Sequence, residues 1–330
     1  MRRVLLLLLA GLLVCATAAC GNGSGSDSSS DSGKAQAKSS VDMGDTISGL
    51  KVTGSFGTAP TVKVDRAVKV DKPVTQVLSA GHGQPVMANK KAMLDITLVQ
   101  GKDGKQLFSS AQQGSPTQVT MQENQFFKVL IDGLVGKPQG SRVAIAATVK
   151  DIWGASGASQ LPLKPTDTVV WVVDVLSVEP THVLNGPQGK QLTPPAHAPT
   201  VEQSKGRVTG LDFSKAPKQP PKKLQVIPLV QGNGPVVKPG QLVTFNYYGA
   251  VWGRKQAFDS SFAAGTPATF GVGVHGLIPA WDKVIPGLKR GSRVLIIAPP
   301  QDAYGAQGQP PKIPKNATLA FVVDVLGVGA

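Results

Sequence analysis

The 330 residues are 41% hydrophobic, 16% charged and 5% aromatic, with 38 Gly and 26 Pro. The apolar share is too large for a mostly disordered chain, and turn residues scattered between short alternating segments exclude a helical bundle. Lys+Arg 34 against Asp+Glu 20 leaves a formal charge of +14, which favours anionic surroundings such as lipid headgroups, acidic wall polymers or nucleic acid without choosing among them.

The N-terminus makes that choice. Arg2 and Arg3 precede an apolar run from Val4 to Val14, and the small residues Thr17-Ala18-Ala19 lead to Cys20. This is the pattern of a secretory signal over residues 1–19, too short for a membrane span. The run Thr17-Ala18-Ala19-Cys20 resembles a bacterial lipobox, with Thr17 where leucine is usual. The resemblance implies that Cys20 receives a diacylglyceryl group and becomes the mature N-terminus. Ordinary secretion by cleavage near Ala18-Ala19 would instead leave Cys20 as a free thiol. Cys15 and Cys20 are the whole cysteine complement, so lipidation leaves neither a free thiol nor a disulfide in an oxidising compartment. Residues 20–45, rich in Gly, Ser and Asp through Ser40, read as a flexible tether. The expected location is extracytoplasmic, anchored to the cell membrane through lipid at Cys20. Nucleic acid is thereby set aside as a partner.

Further along, segments recur. Ile131-Asp132-Gly133-Leu134 matches Ile285-Pro286-Gly287-Leu288, and Gly140-Ser141-Arg142-Val143 matches Gly291-Ser292-Arg293-Val294. Asp151-Ile152-Trp153-Gly154-Ala155 matches Asp302-Ala303-Tyr304-Gly305-Ala306, and Trp171-Val172-Val173-Asp174-Val175-Leu176 matches Phe321-Val322-Val323-Asp324-Val325-Leu326. Matches in the same order indicate a duplicated domain, at 46–180 and 222–330, each large enough to bury one core. Between them, residues 181–221 carry Pro187, Pro194, Pro195, Pro199, Pro217, Pro220 and Pro221. This composition predicts an extended linker with a strand around Arg207–Phe213.

In the second half, Val243, Phe245 and Tyr247 alternate with Thr244, Asn246 and Tyr248, and Leu319, Phe321, Val323 and Val325 form another such stripe. Both read as half-buried strands, and the apolar run Val294–Ala298 as a central one. A helix is predicted at Pro279–Ile285: Pro279 suits a first turn and Pro286-Gly287 ends it. The fold class is α+β, an antiparallel β-sheet wrapped around a short α-helix, present twice.

The ordered set Tyr247, Phe258-Asp259-Ser260-Ser261, Gly276-Leu277-Ile278-Pro279-Ala280-Trp281, Ala303-Tyr304-Gly305, Ile313-Pro314 and Phe321 resembles the FKBP-type peptidyl-prolyl cis/trans isomerases over residues 222–330. The resemblance implies an apolar pocket floored by Trp281, walled by Tyr247, Phe258, Ile278 and Phe321, with Tyr304 on the rim and Leu277 and Ile313 among the substrate-binding residues. It also implies that the Ile278 N–H and the Tyr304 hydroxyl receive substrate carbonyls, and that Tyr247 and Asp259 hydrogen-bond beside the pocket. Tyr247, Asp259 and Tyr304 are thus the expected catalytic residues, with no cofactor and no metal. The four histidines, His82, His182, His197 and His275, are dispersed without metal-ligand spacing. The expected partners are proline-containing segments of exported polypeptides and the membrane, with the chain a monomer.

Departures from the family pattern are Ala264 and Ala268 where an arginine and a phenylalanine are usual, and Gln309 and Lys312 on the flap. They predict a shallower, wetter pocket on one side. Following the repeat, the first half places Thr97 at the strand tyrosine, Phe108-Ser109 at Phe-Asp, Phe127 at the floor, Trp153 at the rim and Trp171 at the terminal Phe. The first domain is expected to keep the fold and to act as a polypeptide-binding or spacing module. The leading function is an isomerase assisting folding of exported proteins at the outer membrane face. The alternative is a non-catalytic polypeptide-binding chaperone or scaffold using the same pockets. A ligand-collecting transport lipoprotein is disfavoured, since alternating strands and long helices are missing from the sequence.

Overall fold

The computed structural model describes residues 44–329 apart from 156, 159 and 160. The signal sequence, Cys20 and most of the tether lie outside the described residues. In chain order the first half comprises β1 (Leu50–Thr53), β2 (Thr61–Val64), β3 (Val74–Ser79), β4 (Lys91–Gln100), β5 (Gln106–Ser109), β6 (Thr117–Thr120), α1 (Lys128–Leu134), β7 (Arg142–Thr148), α2 (Val149–Trp153) and β8 (Thr168–Val178). Then follow β9 (Gly189–Gln191), β10 (Thr200–Ser204) and β11 (Arg207–Asp212). The second half holds β12 (Gln225–Gly232), β13 (Leu242–Val251), β14 (Ala257–Ser260), α3 (Ser261–Ala264), β15 (Ala268–Gly271), α4 (Pro279–Val284), β16 (Arg293–Ala298) and β17 (Leu319–Val328).

The first sheet runs β3-β7-β8-β4-β5 with β6 also on β4, and the second runs β14-β13-β17-β16-β12-β9 with β15 on β13. Pairing within both is antiparallel. Along β17, Phe321, Val323 and Val325 face the core shared with α4, while Ala320 and Val322 face the other side. Both faces are apolar because both are covered. The first unit repeats the arrangement, with α1 on one face and the β1–β2 hairpin on the other.

The β10–β11 hairpin covers the second sheet in the same way, laying Val201, Val208, Leu211 and Phe213 against Tyr248, Leu295, Ile297 and Val322. Residues 181–221 are therefore not an extended linker, which corrects the expectation from composition. β9 adds to β12 at the sheet edge, and the hairpin belongs to the second unit. Most of the prolines fall between these strands or between β11 and β12, where no ladder N–H is needed, so the proline density disguised β9 and β10, while β11 lies where a strand was expected around Arg207–Phe213.

The repeated Gly-Ser-Arg-Val and Val-Val-Asp-Val segments acquire a structural meaning here. Arg142 and Asp174 stand opposite each other in register, as do Arg293 and Asp324. Arg142 Nε and Nη2 donate to Asp174 Oδ1 and Oδ2 at 2.6 and 2.7 Å, and Arg293 does the same to Asp324 at 2.5 and 2.6 Å. Such bidentate pairs are strong and geometrically demanding. Each pins its hairpin: Arg142 also donates to Gly54 O, Ser55 O and Thr58 O, and Arg293 Nη1 to Gln203 Oε1.

The two sheets meet at a seam. Leu242 N donates to Ser177 Oγ at 3.1 Å, Gly271 N to Gln118 Oε1 at 2.8 Å and Lys91 Nζ to Thr269 O at 2.7 Å, around buried Met93, Leu242 and Val274.

Candidate active site

Apolar alternation puts Tyr247 on the α4 side of β13 and Phe321 on the same side of β17. The helix α4 begins after Ile278, with Pro279 in its first turn, and turns Trp281 inward until only 5% of it is exposed. Its ring centroid lies 5.5 Å from those of Phe245 and Tyr247 and 5.6 Å from that of Phe321, all edge-on, and Phe258 stands edge-on to Phe321 at 5.7 Å. Leu277, Ile278, Tyr304 and Ile313 pack into the same cluster. Asp259 is exposed and joins through Tyr247, whose hydroxyl donates to Asp259 Oδ2 at 2.6 Å. The structure thus brings all of the residues expected from sequence in the second half to one place.

Pro279 has no N–H, and the Ile278 N–H donates to no protein group among the described residues, so it is available to a ligand at the mouth of the helix. The buried Trp281 Nε1 likewise lacks a protein partner. Tyr304 follows a short 3-10 turn at Pro300–Asp302, and Lys283 Nζ on α4 holds Asp302 Oδ1 at 2.6 Å, tying the rim to the helix. Ala264 is exposed at the end of α3, and Ala268 pairs with Phe245 at the start of β15.

Three residues support the site: Ser261, quoted only as part of a motif in the sequence, and Asp282 and Gly249, which sequence reasoning missed. Ser261 Oγ accepts from Tyr247 N at 2.8 Å and fixes the strand beside the tyrosine. Asp282 accepts from Gly273 N at 2.7 Å and Leu277 N at 3.4 Å, holding the loop that leads into α4. Gly249 leaves the space in which Phe258 and Phe321 meet: a Cβ there would lie 2.8 Å from Phe258 Cζ and 2.9 Å from Phe321 Cε1. None carries chemistry of its own, so no expected role was attached to it.

Burial first, then the hydrogen bond and charge of Asp259, pushes the Tyr247 hydroxyl well above the ordinary tyrosine range. Burial and then the Asp259 charge raise Tyr304. Both stay protonated donors, so turnover should be flat from about pH 7 to about pH 9. A folded-state value above the unfolded one means that the contribution to stability is full below about pH 10 and is lost as pH rises beyond it. Melting curves should show this alkaline loss reduced in Tyr247→Phe; an unchanged loss would assign it to other groups.

The first unit departs from its sequence-based correspondences. Ile96 pairs with Val173 as Tyr247 pairs with Val323, so Ile96 and not Thr97 holds the tyrosine position. Leu98 pairs with Phe108 as Gly249 pairs with Asp259, so Phe108 and not Ser109 replaces the aspartate, and Leu98 replaces the glycine. Gly136 N bonds Val86 O as Gly287 N bonds Val237 O, which makes Leu130 the floor and moves Phe127 to the place of Ile278. Phe127, Trp153 and Trp171 close on one another at 5.7 to 6.1 Å between centroids. Leu98 is buried in the same cluster, at the register position of Gly249.

The model of the FKBP-type peptidyl-prolyl cis-trans isomerase family matches residues 80–176 and 234–326. The FK506-binding protein of Streptomyces anulatus is 37% identical over 111 residues, 33% of this chain and 90% of that protein. FK506-binding protein 1 of Debaryomyces hansenii is 44% identical over 109 residues, again 33% of this chain and 96% of the relative. The crystal structure of FkpA from Escherichia coli is 34% identical, covering 32% of this chain and 48% of that one at a TM-score of 0.30. With two matched segments spanning more than half of its length and the pocket assembled in the second, the chain belongs to the FKBP-type peptidyl-prolyl cis-trans isomerases.

Proposed function

We propose that the chain is an exported, lipid-anchored prolyl isomerase that assists folding of proline-containing segments of exported polypeptides at the outer face of the membrane, with turnover in the second unit. The amide barrier of roughly 18–20 kcal/mol is resonance lost on twisting the C–N bond. The planar imide is the more dipolar and better hydrated state, so an apolar pocket that strips its water favours the twisted one. Trp281, Phe258, Phe321 and Ile313 supply that environment. The Ile278 N–H and the Tyr304 hydroxyl hold substrate carbonyls, and Asp259 orients Tyr247. Each tenfold in rate corresponds to about 1.4 kcal/mol of differential stabilisation. The first unit, with Ile96 and Phe108 at the register positions of Tyr247 and Asp259, serves as a spacing module.

The observation that carries the location is the run Thr17-Ala18-Ala19-Cys20 behind a basic and apolar leader and ahead of a Gly/Ser/Asp tether. Cells fed labelled lipid should yield labelled protein in the membrane fraction. Cys20→Ala should lose the label and either leave the membrane or accumulate unprocessed. Normal processing with full membrane retention in that variant would reject the anchor.

A further inference from the structure

On the face of the second sheet opposite the prolyl pocket lies a cavity of about 660 Å³. Arg293, Asp324 and Asn246 line it from the sheet, Ser261 from the start of α3, Gln203 and the turn at Lys205–Arg207 from the hairpin, and Val183 from the segment before β9. The Arg293 and Asp324 side chains are only 5% and 1% exposed. A guanidinium has five N–H donors; that of Arg293 serves Asp324 and Gln203 and has donors left over, while Asp324 accepts from Arg293 alone among the described residues. A buried charged pair with unfilled hydrogen-bonding capacity beside an open cavity is an unusual floor.

The first unit shows what such a floor accommodates. There the loop between β1 and β2 spans residues 54–60 and folds over the corresponding pair. Gly54 O, Ser55 O and Thr58 O accept from Arg142 at 2.7 to 3.1 Å, and Gly57 N donates to Asp174 Oδ2 at 2.7 Å. Gly54 and Gly57 have φ of 107° and 74°, the left-handed region that lets so tight a turn lie flat on the pair. In the second unit the hairpin turns at Lys205 and Gly206, which line the cavity beside Arg207, and Gln203 is the hairpin residue that bonds the pair among the described residues. The same charged pair is retained, and among the described residues no loop bonds it through its backbone as residues 54–58 bond Arg142 and Asp174.

We propose that this cavity is a second polypeptide-binding site, which takes a tight turn of small residues from a bound chain, its carbonyls accepting from Arg293 and its N–H donating to Asp324. The repeat within one chain supplies both the filled and the open form of the cradle. Because Asp324 and Phe321 lie on opposite faces of β17, occupation leaves the prolyl pocket accessible. A client held there by one segment presents its prolines to the pocket at raised local concentration.

The test uses a cyclised peptide of the sequence Thr-Gly-Ser-Phe-Gly-Thr-Ala, as found at residues 53–59, titrated into the isotope-labelled whole chain. Saturable amide shifts are expected at Gln203, Asn246 and Ser261, with a dissociation constant tighter than about 1 mM. Replacing residues 205–206 with the sequence of residues 54–60 should fill the cavity from within and weaken binding at least about tenfold, while turnover of short Xaa-Pro peptides is unchanged. Val183→Trp, at an exposed wall residue, should weaken binding without touching the charged pair and stands in if the graft disturbs folding. Shifts that never saturate, that cluster around Trp281 and Tyr304, or that persist at parental strength in both the graft and the Val183→Trp variant would overturn the site.

Discussion

Gly249→Leu should lower catalytic efficiency on Xaa-Pro peptides about a hundredfold while the chain stays folded. The added Cβ falls 2.8 Å from Phe258 Cζ and 2.9 Å from Phe321 Cε1, so both walls must move. Overpacking of this kind costs about 1–3 kcal/mol, and a loss of about 2.7 kcal/mol in the transition state is a hundredfold in rate. The first unit shows that the fold tolerates the residue, since Leu98 occupies this register position and is buried there. A protease-coupled isomerisation assay and a melting curve on the variant decide it. Efficiency within about threefold of the parent would show that the Phe258 and Phe321 walls do not bear on catalysis.

Trp281→Ala should be the most destabilising change in the pocket. The indole is 5% exposed and packs edge-on against Phe245, Tyr247 and Phe321, so truncation leaves a cavity ringed by aromatics that cannot collapse. Losses for buried aromatics run to about 3–5 kcal/mol, which lowers the melting temperature of the second unit by roughly 10 °C or more. Trp281→Leu separates folding from function. Leu130 fills the floor of the first unit, so leucine should recover much of the stability and little of the turnover. Full activity in Trp281→Leu would mean that any apolar floor suffices and that the indole has no particular role.

The clustering of the expected pocket residues was legible in the sequence because they are rare types in a fixed order: Tyr247, Trp281 and Tyr304 pack in one cluster, and Asp259 joins it through Tyr247. Backbone register was less legible. Matching Ile131-Asp132-Gly133-Leu134 to Ile285-Pro286-Gly287-Leu288 follows letters, whereas the structure aligns Gly136 with Gly287, both at positive φ and both bonded to the preceding strand. That shift of three residues moved Phe127 onto the floor. In the strands, Trp171 stands 150 positions before Phe321, but Ile96 and Phe108 stand 151 before Tyr247 and Asp259, so carrying the offset of the last strand back along the chain lost the pairing by one. The hairpin before β12 was half legible, its strand at Arg207–Asp212 expected and its partner at Thr200–Ser204 missed, for a different reason. Its strands are short, half-polar and surrounded by proline, and their burial comes from a sheet far along the chain.

That hairpin sets the smallest piece of the protein that could be produced alone with its activity. A fragment opened at residue 222 keeps every pocket residue, yet it strips the cover from Tyr248, Leu295, Ile297 and Val322 and removes the Gln203 acceptor from Arg293. The result is a bare apolar sheet face and a free edge on β12, both invitations to aggregation. An expression boundary placed ahead of Gly189 retains β9 and the hairpin together, and solubility should turn on those few dozen residues far more than on anything in the pocket.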